Sequence, residues 1–528
     1  MRRWKAILLQ SCWTSLNTAG QPQLQLRHKK RGDMSKKIAI IGAGPGGLTA
    51  GMILARHGYD VEIFEKEGYV GGRNAPLKLD GYTFDTGPTF LMMNFVLEEV
   101  FSLAGRDVTK YLEQVKLDPM YRLVFSDLEL SPSSDQQKME QELARVFPGS
   151  EPGYRKFLKK EKIRFDAMYP CLKVDYSSFS SLFSANLLKA IPHLSLGRSI
   201  FENLGEYFTP EKLKLSFTFQ SKYLGMSAWE CPAAFSIIPF IEHSFGIFHV
   251  IGGLNMISQA MSKVFAEHGG KLRLNTPVER ILLQNKTAKG VVLVGGEKVD
   301  ADEVIINADF AYAMAHLTGN AVAKYSPEKL DAMEYSCSTF MLYLGIDHRY
   351  DIPHHNVFFA DKYRENIENI FHNGRLSDDL SFYVQNASVT DPTLAPVGHS
   401  TIYVLVPVPN MSFPISWENE KERYAEKVLD ALESRAGLTG LRSHIKVKKI
   451  MTPDDWQNSY HVYKGATFNL AHTLRQMLYF RPHNEFEGFR NCYLVGGGTH
   501  PGSGLPTIYE SGRISAEMIL SKYAGDKK

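Results

Sequence analysis

Three glycines, Gly42, Gly44 and Gly47, stand in the run GAGPGG directly after the apolar stretch 38–41. Their chemistry is done through the backbone. The first permits a tight turn, the second removes the side chain that would collide with a phosphate, and the third lets the following helix approach its sheet. The start of that helix would present unpaired N–H groups to phosphate oxygens. Glu65 ends the next apolar strand, 23 residues beyond Gly42, where a carboxylate can accept hydrogen bonds from ribose hydroxyls. The glycine pattern alone recurs by chance among 42 glycines, but strand, turn, helix and acid together predict a bound dinucleotide. The run EKEGYVGGR then adds Gly68, Gly71, Gly72 and Arg73, a second wall around the phosphates with fixed guanidinium donors for an anion. DGYTFDTGPT follows with Asp85, Gly87 and Pro88, where a nicotinamide dehydrogenase would continue into another strand and helix.

The elements that must position these residues alternate. A buried strand 38–41, a helix 45–57 and a strand 60–64 make a βαβ opening. MYRLVF reads as a short strand, QQKMEQELARVF as a helix, and 155–250 as mainly helical. In GGLNMISQAMSKVFAEHGG the residues Leu254, Ile257, Met261, Val264 and Phe265 recur on one helical face, and two glycines close the helix. KLRL, VERILL, GVVLV and EVIINA read as a return to the nucleotide-binding sheet. FMLYLGI, NVFFA, SFYVQNA and TIYVLVPVP suggest a second sheet, and CYLVGGG with LPTIYESGRISAEMILSKY a last strand, turn and helix. The expected fold is α/β: a Rossmann-like dinucleotide-binding domain from 34–115, 251–330 and 485–528, interleaved with an α+β substrate domain and helical cap from 116–250 and 331–484.

Composition removes several function classes. With 528 residues, 44% of them apolar and 22% charged, the chain exceeds a single core and lacks the bias of a disordered protein. Residues 1–33 carry a net charge of +6, and the rest of the chain −3, so the folded body has no field for nucleic acid. The first 33 residues read as a tail or start-site artefact ahead of Met34; a mitochondrial-type targeting segment is the alternative. Cys12, Cys171, Cys231, Cys337 and Cys492 form neither a disulfide framework nor a CxxC site, and a reducing cytosol is expected. No apolar run reaches the roughly 18–20 residues of a spanning helix. No metal-ligand spacing or nucleophile motif is present, so no metal is expected and no catalytic residue is assigned. His500 is the candidate proton carrier, with anchoring of its loop as the other reading; the spacing of His243 and His249 establishes no site.

Three groups of stretches carry a resemblance, and the last two are more discriminating than the glycines. GAGPGGLTA with EKEGYVGGRN and FDTGPT, LSDDLSFYVQNASVTDPTLAPVGHSTIYVLVPVPN, and FRPHNEFEGFRNCYLVGGGTHPGSGLP resemble the bacterial and fungal phytoene or diapophytoene desaturase family, within the flavin amine oxidase group. The resemblance spans 36–523. It implies FAD in an extended conformation, contacted by Gly42, Gly44, Gly47, Glu65, Gly72 and Arg73, with Val278 as a backbone contact to adenine. It also implies that 498–505, including Gly498, Thr499, His500, Gly504 and Leu505, form the terminal turn and helix start near the flavin ring. GGGTHPGSG in place of a Gly-Asp turn agrees with the carotenoid branch.

The implied reaction removes hydride from one saturated carbon to flavin N5 and a proton from its neighbour, forming a double bond. The substrate would be a hydrophobic polyene precursor, with oxygen or a membrane quinone as electron acceptor and no nucleic-acid partner. Such a substrate needs a long apolar cavity. Between Tyr176 and Gly197 the only charge is Lys189, amid Phe179, Leu182, Phe183, Leu187, Leu188, Ile191 and Leu196. That segment reads either as a membrane-dipping tunnel entrance or as cap packing, and AAFSIIPFIEHSFGIFHVIGG as cavity lining or buried core. Peripheral attachment at the cytoplasmic side of a membrane is expected. A carotenoid end-group oxidase, an amine oxidase and a flavin-containing scaffold are the alternatives.

Overall fold

A computed structural model describes residues 35–319 and 321–524, and the reading of the first 33 residues lies outside them. The strand Lys37–Ile41 is buried from Ile38 onward because it has neighbours on both edges and helices on its faces. It is the middle of a five-stranded parallel sheet ordered Cys492–Leu494, Glu303–Ile306, Lys37–Ile41, Asp60–Phe64, Lys271–Arg273. All-parallel strands need both faces covered, which is why they read as continuous apolar runs. The helix Pro45–Arg56 is buried from Pro45 through Ala55. The last helix, Leu505–Ala524, crosses it where a Cβ on Gly512 would stand 2.4 Å from the Gly46 carbonyl oxygen. That close approach brings the turn before Leu505 beside the turn before Pro45.

One grouping of strands is corrected. Only KLRL and EVIINA join the parallel sheet. VERILL and GVVLV form a separate antiparallel sheet with Lys298–Asp300, in the order Val278–Gln284, Thr287–Leu293, Lys298–Asp300. The physical cause is the two-residue link Asn285–Lys286, whose φ values of 50° and 57° suit a tight hairpin and direct the chain straight back on itself.

The second sheet has seven strands, ordered Ile445–Met451, Ser338–Ile346, Ser400–Val408, Phe382–Gln385, His355–Phe358, Arg122–Val124, Glu129–Leu130. Its second and third strands run antiparallel in unbroken register from Ser338 opposite Val408 to Ile346 opposite Ser400. One face packs on the helix Trp417–Arg435 through Phe340, Leu342, Val404 and Val406. The other turns tyrosines toward the loop that follows the hairpin of Pro76–Leu79 with Tyr82–Asp85: Tyr343 donates to the Thr86 carbonyl (2.6 Å) and Tyr403 to the Gly87 carbonyl (2.9 Å). The cap above is helical, with Glu151–Leu172, Ala185–Ala190, Ile200–Leu204, Glu211–Ser216 and Ile237–Phe245.

Candidate functional site

A cavity of about 1360 Å³ begins at the glycine turns and runs between the second sheet and the cap. At its first end the walls are backbone. Gly42 has φ +97°, and a Cβ there would stand 2.3 Å from the Asn307 carbonyl oxygen; one on Gly47 would stand 2.4 Å from the Gly42 oxygen. These two glycines hold the turn tight. Gly44 and Gly72 serve the space instead. A Cβ on Gly72 would meet nothing nearer than the Gly44 Cα at 3.8 Å, and one on Gly44 only the Asn307 amide at 3.1 Å, so the two turns face each other without side chains between them. Gly44 also opens the helix with no side-chain cap.

The turns are tied down by residues distant in sequence. Asn307 donates to the Gly42 carbonyl at 3.0 Å. Asn255 donates to the carbonyls of Val70 (3.0 Å) and Asn74 (2.8 Å), fixing the second turn. Glu65 accepts from the N–H groups of Ala43 (2.8 Å) and Glu67 (3.0 Å); the carboxylate oxygens keep further lone pairs toward the cavity they line. Burial raises the Glu65 pKa against the pull of those N–H donors. Arg73 donates to the Thr467 carbonyl at 2.9 Å. With the Asn469 amide oxygen turned to it at 2.8 Å and 3.0 Å, that amide reaches Asp309 at 2.8 Å, so Arg73 is positioned by Thr467 and Asn469 and its charge is balanced by Asp309. Val278 lines the same end, as do Tyr312 and His461, stacked at 4.3 Å.

The terminal turn lies differently from expectation in part. Gly496, Gly497, His500, Gly504 and Leu505 line the cavity, whereas Gly498 and Thr499 face a separate void of about 10 Å³. A Cβ on Gly498 would strike Phe310 Cβ at 2.5 Å, and Thr499 is turned inward to donate to the Pro482 carbonyl. Arg481, 1% exposed, holds this turn by donating to the carbonyls of Gly497 (2.7 Å), Thr499 (3.1 Å), Gln476 (3.0 Å) and Leu470 (3.3 Å). Asn484 donates to the His500 carbonyl at 3.1 Å, and His472 Nε2 accepts the Ser503 N–H at 3.2 Å. His500 is buried edge-on against Tyr176 at 4.8 Å, neither ring nitrogen makes a hydrogen bond of ordinary geometry, and burial beside Arg481 pushes its pKa down to about 3.

Beyond the turns the wall becomes apolar, with Met92, Met168, Leu182, Leu187, Ile237 and Ile241 among its residues. Leu196, Leu474 and Phe480 line the cavity and are 63%, 58% and 59% exposed, so they form its mouth. Phe179, Phe183, Leu188 and Ile191 continue the exposed apolar surface beside it, with Phe179 against Tyr479 at 5.5 Å. The segment 176–197 divides between its two readings: Tyr176, Leu187 and Ala190 pack in a small core, whereas Phe179, Phe183, Leu188, Ile191 and Leu196 are exposed. His243 lies in the cap interior, stacked on Phe217 at 4.7 Å, and His249 pairs with Asp391 at 3.1 Å. Among the described residues no group of His, Cys, Asp and Glu could hold a metal ion, and no helix is long and apolar enough to cross a membrane.

Comparison with known proteins matches the model of the flavin containing amine oxidoreductases over residues 45–520. The chain is 55% identical to a 4,4'-diapophytoene desaturase (4,4'-diapolycopene-forming) of Methylomonas sp., over 93% of this chain and 96% of that one. It is 36% identical to an all-trans-zeta-carotene desaturase of Myxococcus xanthus, over 94% and 95%. An oxidoreductase of Methanosarcina mazei, 18% identical, shares the fold with a TM-score of 0.59, over 92% of this chain and 100% of that one.

The first end of the cavity fits a flavin dinucleotide on its own geometry. It has two facing turns without side chains, an uncapped helix start, and an acid at the end of the second strand. Fold, site and relatives agree: this chain belongs to the phytoene and diapophytoene desaturase family of the flavin-containing amine oxidoreductases.

Proposed function

We propose that this chain is an FAD-dependent desaturase that introduces double bonds into an acyclic isoprenoid hydrocarbon, 4,4'-diapophytoene or phytoene, taken up from a membrane surface. The observation that carries the reading is the continuity of the cavity from the glycine turns to a mouth of exposed Leu196, Leu474 and Phe480. A substrate without polar handles is recognised by shape and by exclusion of water, and a long apolar wall supplies both. The 55% identity to the Methylomonas desaturase favours the diapophytoene class.

Bound FAD supplies a hydride acceptor. In this reading the residues of the chain do the binding and positioning. Gly44 and Gly72 admit the pyrophosphate, with Gly42 and Gly47 holding the turn. Glu65 meets the adenosine ribose and the Val278 backbone the adenine. Arg73, balanced by Asp309, sets the electrostatics of the second turn. His500, Gly504 and Leu505 border the ring end, while Gly498 and Thr499 support that turn from behind. Segments 34–115, 251–330 and 485–528 form the cofactor half, and 116–250 and 331–484 the substrate half and cap. The exposed patch around Phe179, Phe183 and Phe480 lies on the bilayer, and oxygen or a membrane quinone takes the electrons away.

The test is product analysis. Purified holoprotein given lipid-dispersed diapophytoene or phytoene is expected to yield products two hydrogens lighter per step, with red-shifted absorption and no incorporated oxygen. An oxygenated end group as sole product, or turnover of amines alone, overturns the reading.

A further inference from the structure

Making a double bond from two saturated carbons removes a hydride from one and a proton from its neighbour. In the desaturase reading, on which this inference rests, bound flavin would accept the hydride, and the proton needs an acceptor that touches the hydrocarbon. Two polar side chains that line the cavity are held by the main chain. His472 uses both nitrogens, Nδ1 with the Leu224 carbonyl at 3.1 Å and Nε2 with the Ser503 N–H. Tyr403 donates to the Gly87 carbonyl.

Tyr383 is placed differently. It lies on the strand Phe382–Gln385 and lines the cavity, with its hydroxyl 2.7 Å from Nδ1 of His355 and 3.0 Å from Thr89 Oγ1. Thr89 is two residues from Gly87, where a Cβ would stand 2.7 Å from the Arg73 carbonyl oxygen. Gly87 and Thr89 line the cavity together with Tyr383. His355, on the adjacent strand, is fully buried and its Nε2 has no hydrogen-bond partner among the described residues. Phe90 packs edge-on against both rings, at 4.3 Å and 5.6 Å between centroids.

We propose that the Tyr383 hydroxyl, backed by His355, is the proton acceptor of the desaturation. In the tautomer protonated on Nε2, His355 accepts the phenolic hydrogen at Nδ1, the hydroxyl turning from Thr89 to do so. As one carbon gives up hydrogen and its bonding pair as hydride to the flavin, the C–H bond of the neighbouring carbon breaks. Its electron pair becomes the π bond, its proton goes to Tyr383 Oη, and the proton of the phenol passes to Nδ1. The substrate has lost H⁻ and H⁺, Tyr383 is neutral again, and His355 is an imidazolium. A C–H next to a carbon losing hydride is acidic enough for a neutral phenol–imidazole pair. Burial beside His354 and His249 holds the His355 pKa well below the usual range, so it is neutral beforehand. The His354 ring lies 4.3 Å away, and its Nδ1 reaches the half-buried Thr390 hydroxyl at 2.8 Å, toward solvent.

The experiment uses full-chain holoprotein in vesicles, with anaerobic single-turnover bleaching of the flavin by diapophytoene. Wild type is compared with Tyr383→Phe, His355→Gln and His500→Gln, after each is checked for bound flavin. Tyr383→Phe is expected to bleach about 10²–10³-fold more slowly and His355→Gln about 10-fold or more, with half-saturating substrate changed by less than about threefold. Deuterium at the carbon that loses the proton is expected to slow both variants more than wild type, a signature that a packing role would not produce. A Tyr383→Phe rate within about threefold of wild type overturns the proposal, as does a loss confined to half-saturation or a collapse in His500→Gln alone. If Tyr383→Phe fails to hold flavin, His355→Gln decides, a wild-type rate and isotope effect counting against the proposal. A wild type that no hydrocarbon bleaches overturns the desaturase reading and takes the proposal with it.

Discussion

At the glycine-lined end of the cavity the walls are main chain, and at the mouth they are side chains. The first end is specified atom by atom: Asn307, Asn255, Glu65 and Arg481 each fix a turn through named hydrogen bonds, and a methyl added at Gly42, Gly44 or Gly47 meets an oxygen or an amide. The mouth is specified by character, since Leu196, Leu474 and Phe480 present exposed apolar area with no hydrogen bond to place a ligand. The difference teaches where the two halves of the site tolerate change. A charged, many-atomed cofactor needs fixed backbone donors, whereas a hydrocarbon needs only water kept out.

The largest expected effect breaks the first end. Gly44→Val puts methyl groups into the gap facing Gly72 and against the Asn307 amide, so bound flavin should fall below about a tenth of wild type while helix content is retained. Flavin absorbance and circular dichroism on one preparation check it; stoichiometric flavin in the variant would refute the placement of the phosphates.

Arg481→Met comes next. It leaves the carbonyls of Gly497, Thr499, Gln476 and Leu470 without their buried donor, and chemical denaturation should show a loss of about 3 kcal/mol, with weaker flavin retention.

The two ends are equally uneven in how far the sequence announces them. The opening βαβ unit, the helix Asn255–Glu267 and the last helix were legible because glycine spacing and apolar periodicity are local signals. The hairpin of Val278–Gln284 with Thr287–Leu293 was not, since strand periodicity does not say which sheet a strand joins. Arg481 carried no local signal: a lone arginine reads as surface until the fold brings four carbonyls around it. Likewise Tyr383 and His355 are 28 residues apart, and only the pairing of their strands makes them neighbours. His500 drew attention by residue type, yet the tool that holds its turn is Arg481 behind it. The shift of the cavity wall from Gly498 and Thr499 to Gly496 and Gly497 has the same origin, because a run of three glycines does not reveal which of them faces the ligand.

A pH experiment sharpens the contrast on the cap side. Glu242 is fully buried behind the cap residues that line the cavity; it accepts from Tyr121 (2.9 Å) and Gln220 (2.6 Å), and burial raises its pKa from 4.5 to about 7. The folded state therefore holds this proton where the unfolded chain has lost it. Its contribution is complete below about pH 4.5 and lost as pH rises toward about 7. Glu242→Gln should remove that part of the slope and gain up to about 3 kcal/mol relative to wild type at pH 8, as read from denaturation midpoints across pH. An unchanged slope would show that Glu242 is ionised in the fold.

The smallest effect on the protein itself is expected at the mouth. Phe183→Ser with Phe480→Ser removes exposed rings, so the melting temperature should hardly move, while partition to phospholipid vesicles falls about 10-fold or more. Unchanged partition would place the membrane contact elsewhere.

The central claim is that one cavity joins a flavin end to a hydrocarbon end. Anaerobic bleaching of the bound flavin in vesicles tests it most directly, with diapophytoene or phytoene in one sample and a soluble amine such as putrescine in another. Bleaching by the hydrocarbon and none by the amine is the expected result; bleaching by the amine alone would contradict a cavity built for a hydrocarbon.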